Sequence, residues 1–454
     1  MGDLKAFLTI PRKEAGYRPV YERIGDFSEV EQTLNTRDRR EQAARCMDCG
    51  VPFCHWACPL GNKQPEWQDA LYKGKWKDAY EILSETCDFP EFTGRICPAL
   101  CEKSCVLKLS CNDPVTVREN EAAIVEAAFR ESYIKLVVPK RNGKKVAVIG
   151  SGPAGLVVAN RLNRKGYTVT VYDKMEAPGG LLRYGIPNFK LSKNIIDRRI
   201  SLLEAEGIEF KMNEYIELNQ LPGGFDAYCL CTGAETPRDL SIPGRELRGI
   251  HFALEILSQQ NRVLEGQEFP KDKRFNVKGK KVLVIGGGDT GSDCIGTSVR
   301  LGAKSVMQIE IMPQPPEEYN PTTPWPQWPL VLKTTSSHEE GCTRRWNLAS
   351  NKFTGTDGRV TGVETEEVKW IADANNNGRL TMKPTGKKEL IEADLVLLSM
   401  GFLKPEIPEL AKNVFTAGDF VTGPSLVVRA MAGGKSVAKE IDNYLSGTKC
   451  KSFT

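Results

Sequence analysis

The 454 residues carry 62 basic and 58 acidic side chains, a formal charge of +4, with 40% hydrophobic and 26% charged residues, so about three domains fit and a minimal module is excluded. No run of one charge sign suggests nucleic acid, no stretch approaches the ~20 apolar residues of a membrane span, and the start MGDLKAFLTIPRKEAGY has neither signal nor transit character. A cytoplasmic chain without nucleic-acid or membrane partners is expected, and the crowding of nine of its 14 cysteines between Cys46 and Cys111 then argues for metal over disulfides.

In chain order, helical spacing over 28–45, with Ser28 as the cap, and over 119–133 brackets the cysteines. Cys46-x2-Cys49-x4-Cys54-x3-Cys58-Pro59 has the form of a ferredoxin run, in which the last cysteine before proline serves a second cluster. A second batch follows at Cys97-Pro98, Cys101 and Cys105. Two 4Fe-4S clusters need about eight ligands, and these batches supply seven. The eighth is Cys87, Cys111 or an oxygen ligand such as Glu121, with spacing favouring Cys111 because it continues the batch. Paired zinc sites are the alternative, since they too use C-x2-C pairs. His55 reads as a packing residue.

Near residue 140 the composition turns to glycine-punctuated strands and amphipathic helices, and the chain repeats itself. KKVAVIGSGPAG at 144–155 is echoed by KKVLVIGGGDTG at 280–291, and FDAYCLCTGA at 225–234 by ADLVLLSMGF at 393–402. Two nucleotide-binding halves account for this. The tail over 414–445 has a short strand, the turn Ala417-Gly418-Asp419 and a helix of small residues, placed to return to the first half. The expected fold class is therefore α/β, with two Rossmann-like dinucleotide-binding domains, one inserted in the other, after an α-helical iron-sulfur domain. The expected boundaries are 1–140 for the helical domain, 141–275 plus 395–454 for the flavin domain and 276–394 for the nicotinamide domain.

Gly150, Gly152 and Gly155 follow an apolar strand and open a helix, which gives the tight turn, the approach of pyrophosphate to backbone and the helix-on-sheet contact. Asp173 closes the next strand, placed to accept from a ribose hydroxyl. Gly286, Gly288 and Gly291 repeat the arrangement, with Asp289 and Thr290 inside the motif and Glu310 at the matching strand end. A carboxylate there accepts both hydroxyls of an unmodified ribose and repels a 2′-phosphate, which favours NADH over NADPH. No arginine stands near that strand end in the sequence, apart from Arg300 further off. Gly418 and Asp419, just before the last helix, read as a flavin-binding turn, and Gly233 closes the first half. Residues 312–329 hold seven prolines and two tryptophans, a stiff segment read as a packed surface loop, a docking surface or a lid. The run Asn375-Asn376-Asn377-Gly378 reads as a hairpin turn, and Cys229, Cys231 and Cys294 as buried small residues.

Together these residues resemble the small, beta subunit of glutamate synthase and its wider family, which includes the flavin and iron-sulfur arm of dihydropyrimidine dehydrogenase. The blocks that carry the resemblance are QAARCMDCGVPFC at 42–54, GRICPALCEKSC at 94–105, GGLLRYGIPNFKL at 179–191, GGGDTGSDCIGTS at 286–298 and TAGDFVTGPSLVVRAM at 416–431. The resemblance implies cross-ligation of two 4Fe-4S clusters: Cys46, Cys49, Cys54 and Cys105 on one, and Cys58, Cys97, Cys101 and Glu121 on the other. It also implies FAD on the first fold, near Gly152, Asp173, Gly180, Leu182, Arg183 and Asp419, and a nicotinamide cofactor on the second. The implied role is electron input from NAD(P)H through FAD and the clusters to a large amidotransferase subunit, which forms glutamate from glutamine and 2-oxoglutarate. The alternative is a stand-alone NAD(P)H reductase with another acceptor. Hydride transfer to flavin needs no protein acid or base, so no catalytic residue is expected. Three domains consume the length, leaving none for a glutaminase or a second flavin site.

Overall fold

The computed structural model describes residues 3, 5–110, 112–318, 320–372 and 380–447. Up to residue 133 its regular structure is helical. Thr36–Ala44, Gln64–Tyr72, Trp76–Thr86, Pro90–Ile96 and Val117–Arg130 pack around Trp67, Phe89 and Phe92, all fully buried. The first of these starts later than the spacing suggested. Asn35, not Ser28, caps it by accepting from the Asp38 amide at 2.9 Å. The preceding residues are held extended because the Val30 amide donates to the Phe189 carbonyl at 3.0 Å, and such a tie cannot be read from local spacing.

The strands follow in chain order: β1 (Lys145–Ile149), β2 (Thr168–Tyr172), β3 (Glu209–Lys211), β4 (Ala227–Leu230), β5 (Ile250–Phe252), β6 (Lys281–Ile285), β7 (Ser305–Ile309), β8 (Thr343–Arg345), β9 (Leu348–Thr356), β10 (Arg359–Ala372), β11 (Leu380–Glu392), β12 (Leu395–Leu398) and β13 (Val414–Thr416). They form two parallel five-stranded sheets, β13-β4-β1-β2-β3 and β5-β12-β6-β7-β8, and one antiparallel sheet, β11-β10-β9. The central strands of the parallel sheets read VAVI and VLVI and are buried on both faces, as helix-covered parallel sheets require. The late strand β13 pairs with β4, so the tail does return to the first sheet. The Asn375 to Gly378 turn lies outside the described residues, although β10 and β11 on either side of it are paired.

One hydrophobic core runs without a break from the helices around Trp67 into the first sheet and the C-terminal helix Val427–Ser446. Two further clusters cover the faces of the second sheet. A charged junction helps fix the second sheet against the rest, beside the bonds of Asn261 to the Arg183 and Ile186 carbonyls. Glu340 is fully buried between Arg23 of the N-terminal segment, at 2.8 Å, and Arg300 of the helix Asp289–Arg300, at 3.0 Å. The Arg300 guanidinium lies 3.9 Å above the ring of Phe189, whose carbonyl takes the Val30 amide. A Cβ on Gly296 would stand 2.8 Å from that ring. Lys190 adds an ion pair to Asp293 on the same helix.

Removing the buried anion from this junction takes from Arg300 its ion-pair partner and leaves Arg23 only the half-exposed Glu339. Glu340→Gln should cost about 3–5 kcal/mol in urea denaturation, whereas a loss below ~1 kcal/mol would show that the junction behaves as a solvated surface pair.

Candidate functional site

The cysteines are placed by short helices and one strained turn. Cys54 lies in Phe53–Ala57 with Cys58 just past its end, Cys97 ends Pro90–Ile96, and Cys101 lies in Leu100–Lys103. Ala99 between the last two takes φ +60, a left-handed conformation costly for a residue with a Cβ. The thiols sort into two groups. Cys54 interacts electrostatically with Cys46, Cys105 and Cys49, while Cys97 and Cys101 interact with Cys58 and Glu121. Residues close in sequence, Cys54 and Cys58, thus fall in different groups.

Burial pushes the Cys46 and Cys97 thiols up to about 12 and the Glu121 carboxyl up to about 7. Burial thus disfavours the charged forms of these donors, and a bound metal centre would supply the compensating charge. Glu121 accepts from the Thr93 hydroxyl, and the Cys87 thiol lies 3.9 Å behind it. Cys111, favoured by spacing, lies outside the described residues. Among the described residues no three His, Cys, Asp or Glu side chains close on a point fit for a single ion. His55 stands outside both groups, 3.2 Å from Glu66.

Beside the first sheet lies a cavity of about 1020 Å³. Gly150, Gly152, Asp173, Gly180, Leu182, Gly233 and Asp419 all line it. Their roles differ. A Cβ on Gly155 would sit 1.9 Å from the Gly150 carbonyl oxygen, so that residue serves helix-on-sheet packing behind the cavity. Gly152 has φ −69, and a Cβ there would find nothing within 4 Å, so its open side is the cavity itself. Asp173 accepts from the Ser151 amide at 2.8 Å and hydroxyl at 2.6 Å, and Asp419 accepts from the Ser425 hydroxyl at 2.6 Å. Gly418 keeps a left-handed turn tight against Ala154. Arg183 departs from expectation: its guanidinium turns inward to Pro178, Asp197 and Glu265 and does not line the cavity. The competing anions and the carbonyl hold it there.

The second glycine turn repeats the first. Gly286 has φ +121, and a Cβ there would meet the Ser399 carbonyl oxygen at 2.4 Å, as one on Gly150 would meet that of Cys231. Gly288, Asp289 and Thr290 open the helix Asp289–Arg300, while Gly291 faces the Gly286 carbonyl from inside. Gln308 Nε2 also donates to that carbonyl at 2.8 Å, and Gln308 Oε1 lies 3.1 Å from His338 Nε2. Because His338 Nδ1 accepts from the Thr335 amide at 3.1 Å, the proton sits on Nε2.

Glu310 folds over Gly287, where its carboxylate oxygen would be 1.4 Å from a Cβ. Sequence reasoning missed its neighbour. Arg344 on β8 acts on Glu310 electrostatically, whereas Arg300 is spent in the Glu340 junction. The strand that delivers Arg344 comes after the proline-rich segment, so no spacing from the glycine motif points to it. That segment itself reaches the cysteines: the Trp325 ring packs 4.6 Å from that of Phe53, next to Cys54.

A family profile described as dihydropyrimidine dehydrogenase domain II, 4Fe-4S cluster, matches residues 23–133, and one described as pyridine nucleotide-disulphide oxidoreductase matches residues 144–408. The glutamate synthase (NADPH) small chain of Mycobacterium tuberculosis is 44% identical over 99% of this chain and 97% of its own length. Glutamate synthase (NADH) of Schizosaccharomyces pombe is 40% identical over 98% of this chain, which spans only 23% of that protein. Among solved structures, Mycobacterium tuberculosis FprA in complex with NADPH shares the fold, with a TM-score of 0.52 and 19% identity over 68% of this chain and 87% of that one.

His338 yields a pH test. Burial holds it down to about 4, against 6.5 when free. As pH falls from about 6.5 to 4 the unfolded chain takes up a proton that the folded one refuses, so stability declines across that window and levels off below it. Urea unfolding at pH 7.5 and pH 5 should show a drop that shrinks in His338→Gln; equal drops in the two proteins would assign the pH dependence elsewhere.

Proposed function

The chain belongs to the family of glutamate synthase small chains, an NAD(P)H oxidoreductase family with flavin and iron-sulfur centres, and from that membership we propose that it is the electron-input subunit of a two-subunit glutamate synthase. Two 4Fe-4S clusters are held by Cys46, Cys49, Cys54 and Cys105, and by Cys58, Cys97, Cys101 and Glu121. The observation that carries this reading is that Cys54 acts with Cys46, Cys49 and Cys105 while Cys97 and Cys101 act with Cys58 and Glu121, across the sequence order, with Cys87 also beside Cys58 and Glu121. FAD lies in the cavity lined by Gly152, Asp173 and Asp419, and the nicotinamide nucleotide lies on the turn Gly286 to Gly291.

The cofactors supply hydride and electron chemistry, and the chain supplies geometry. The amides that open Pro153–Arg164 face the pyrophosphate, as helix N-termini favour anions. Buried thiols and Glu121 hold the clusters, and no side chain is required to move a proton. Electrons leave where Met47, Val51, Trp56 and Leu109 expose apolar surface around the first thiol group; Trp56 is 69% exposed. A large synthase subunit covers that surface. The Schizosaccharomyces pombe relative, in which the matching region is a minor part of one longer polypeptide, supports an obligatory larger partner.

Glu310 makes NADH the better donor by repelling a 2′-phosphate. Arg344 beside it pulls the other way, and the relatives carry both names, NADPH in Mycobacterium tuberculosis and NADH in Schizosaccharomyces pombe. The carboxylate decides because it lies directly over Gly287, in the nucleotide turn.

The chain purified anaerobically should contain about eight irons with equal sulfide, and oxidise NADH with artificial acceptors. It should form glutamate only when a large synthase subunit is added. Glutamate from the chain alone would refute the division of labour, and a large subunit that neither binds nor accepts electrons would leave a stand-alone reductase. In stopped-flow flavin reduction, a tenfold preference for NADPH, about 1.4 kcal/mol, would overturn the role of Glu310 and hand the phosphate to Arg344.

Gly152→Val tests the flavin site without breaking the fold, since a side chain there meets only cavity. The variant should keep its iron and its melting behaviour and lose the flavin absorbance. Retained FAD would place the cofactor elsewhere.

A further inference from the structure

The C-terminal helix Val427–Ser446 touches two functional regions at once. Its first turns, at Val427 and Ala430, line the flavin cavity. Lys435 lies five residues beyond Ala430, about 7.5 Å along the axis at 1.5 Å per residue. From there its ammonium crosses to the cysteine segment and donates to the Leu60 carbonyl at 3.3 Å and the Thr86 carbonyl at 3.2 Å. Leu60 is two residues after Cys58, and Thr86 adjoins Cys87. The ammonium is half-buried and acts electrostatically on both Cys58 and Cys87.

Nearby charges do not cancel it. Asp88, the carboxylate that acts on it, is already engaged by Arg161 at 2.9 Å and by Asn160 at 2.9 Å, both on Pro153–Arg164. The side chain therefore brings a cation, fixed by two carbonyls, to the Cys58 group from the flavin side. No other described contact delivers a lysine from the flavin helix to these cysteines.

We propose that Lys435 is a positioning residue that raises the reduction potential of the cluster held by Cys58, Cys97, Cys101 and Glu121, and so makes that cluster the first acceptor from the flavin. The inference rests on the two-cluster reading above. One electron leaves the NADH-reduced flavin and arrives on the cluster, which gains one negative charge; no bond forms or breaks. A fixed cation in a partly desolvated setting stabilises that added charge far more than it would in water. The carbonyl contacts keep it from relaxing away. The cluster at Cys46, Cys49, Cys54 and Cys105 has no such contact with Lys435, so the effect is confined to one centre.

Redox titration of the anaerobic holoprotein, followed by electron paramagnetic resonance, reads both clusters separately. Lys435→Gln keeps a donor for the carbonyls and deletes the charge. It should make reduction of one cluster about tenfold less favourable, a midpoint lowered by about 59 mV for one electron, with the other unmoved. Lys435→Arg should restore the midpoint, which a packing role alone does not require. Both clusters present with unchanged midpoints in Lys435→Gln would overturn the proposal, as would an equal shift in both. Loss of the cluster in Lys435→Gln and in Lys435→Arg alike would make the residue a packing element and also overturn it. A wild-type protein with only about four irons would instead refute the two-cluster reading itself, a failure seen before any variant is made.

Discussion

A buried carboxylate ties three distant stretches of this protein together. Glu340 lies out of water between Arg23 and Arg300, and each of the three comes from a different stretch of chain. Isolated burial of any of these charges costs several kcal/mol, so the three segments are stable only together. Phe189 under Arg300 ties in the segment that follows the cavity-lining residues Gly180, Leu181, Leu182 and Tyr184. The junction thereby helps set the relative placement of the two parallel sheets, together with the ion pairs of Arg183 with Glu265 and Arg262 with Glu176. Surface ion pairs elsewhere in the chain lack this leverage because water replaces either partner cheaply.

The strongest sequence signals were those with a backbone reason. Glycine at 150 and 286 is legible because φ is positive and a carbonyl stands where a Cβ would go, and the same steric demand recurs in both halves. The apolar strands were legible because fully buried parallel strands leave uninterrupted runs of branched side chains, and the returning tail because a short strand, a Gly-Asp turn and a helix of small residues follow the second half. Cysteine spacing suggested two metal centres but not which donors lie together; Cys111, which it favoured, lies outside the described residues, while Glu121 acts on Cys97 and Cys101.

What escaped the sequence came from distance along the chain. The helix expected from Ser28 begins after its cap Asn35, because the segment before it is held by a hydrogen bond from the Val30 amide to the Phe189 carbonyl, over 150 residues away. Arg183 belongs to a block that suggests a cofactor contact, yet its side chain answers to Asp197 and Glu265. Arg344 and Lys435 sit in stretches without any motif, and only the pairing of β7 with β8 and the packing of the last helix give them neighbours.

The pairing of β13 with β4 also sets a schedule for biosynthesis. Between these neighbours the ribosome must make about 180 residues, including the entire second parallel sheet, which at typical translation speeds takes roughly ten to forty seconds. Throughout that interval β4 has an open edge and the cavity beside the first sheet lacks the wall that Asp419 and Val427 provide. The nascent first sheet therefore waits, half built, for a strand encoded after the whole second sheet. The early cysteine helices, which share their core with the helix after β13, likewise gain that packing only once the second sheet has been made.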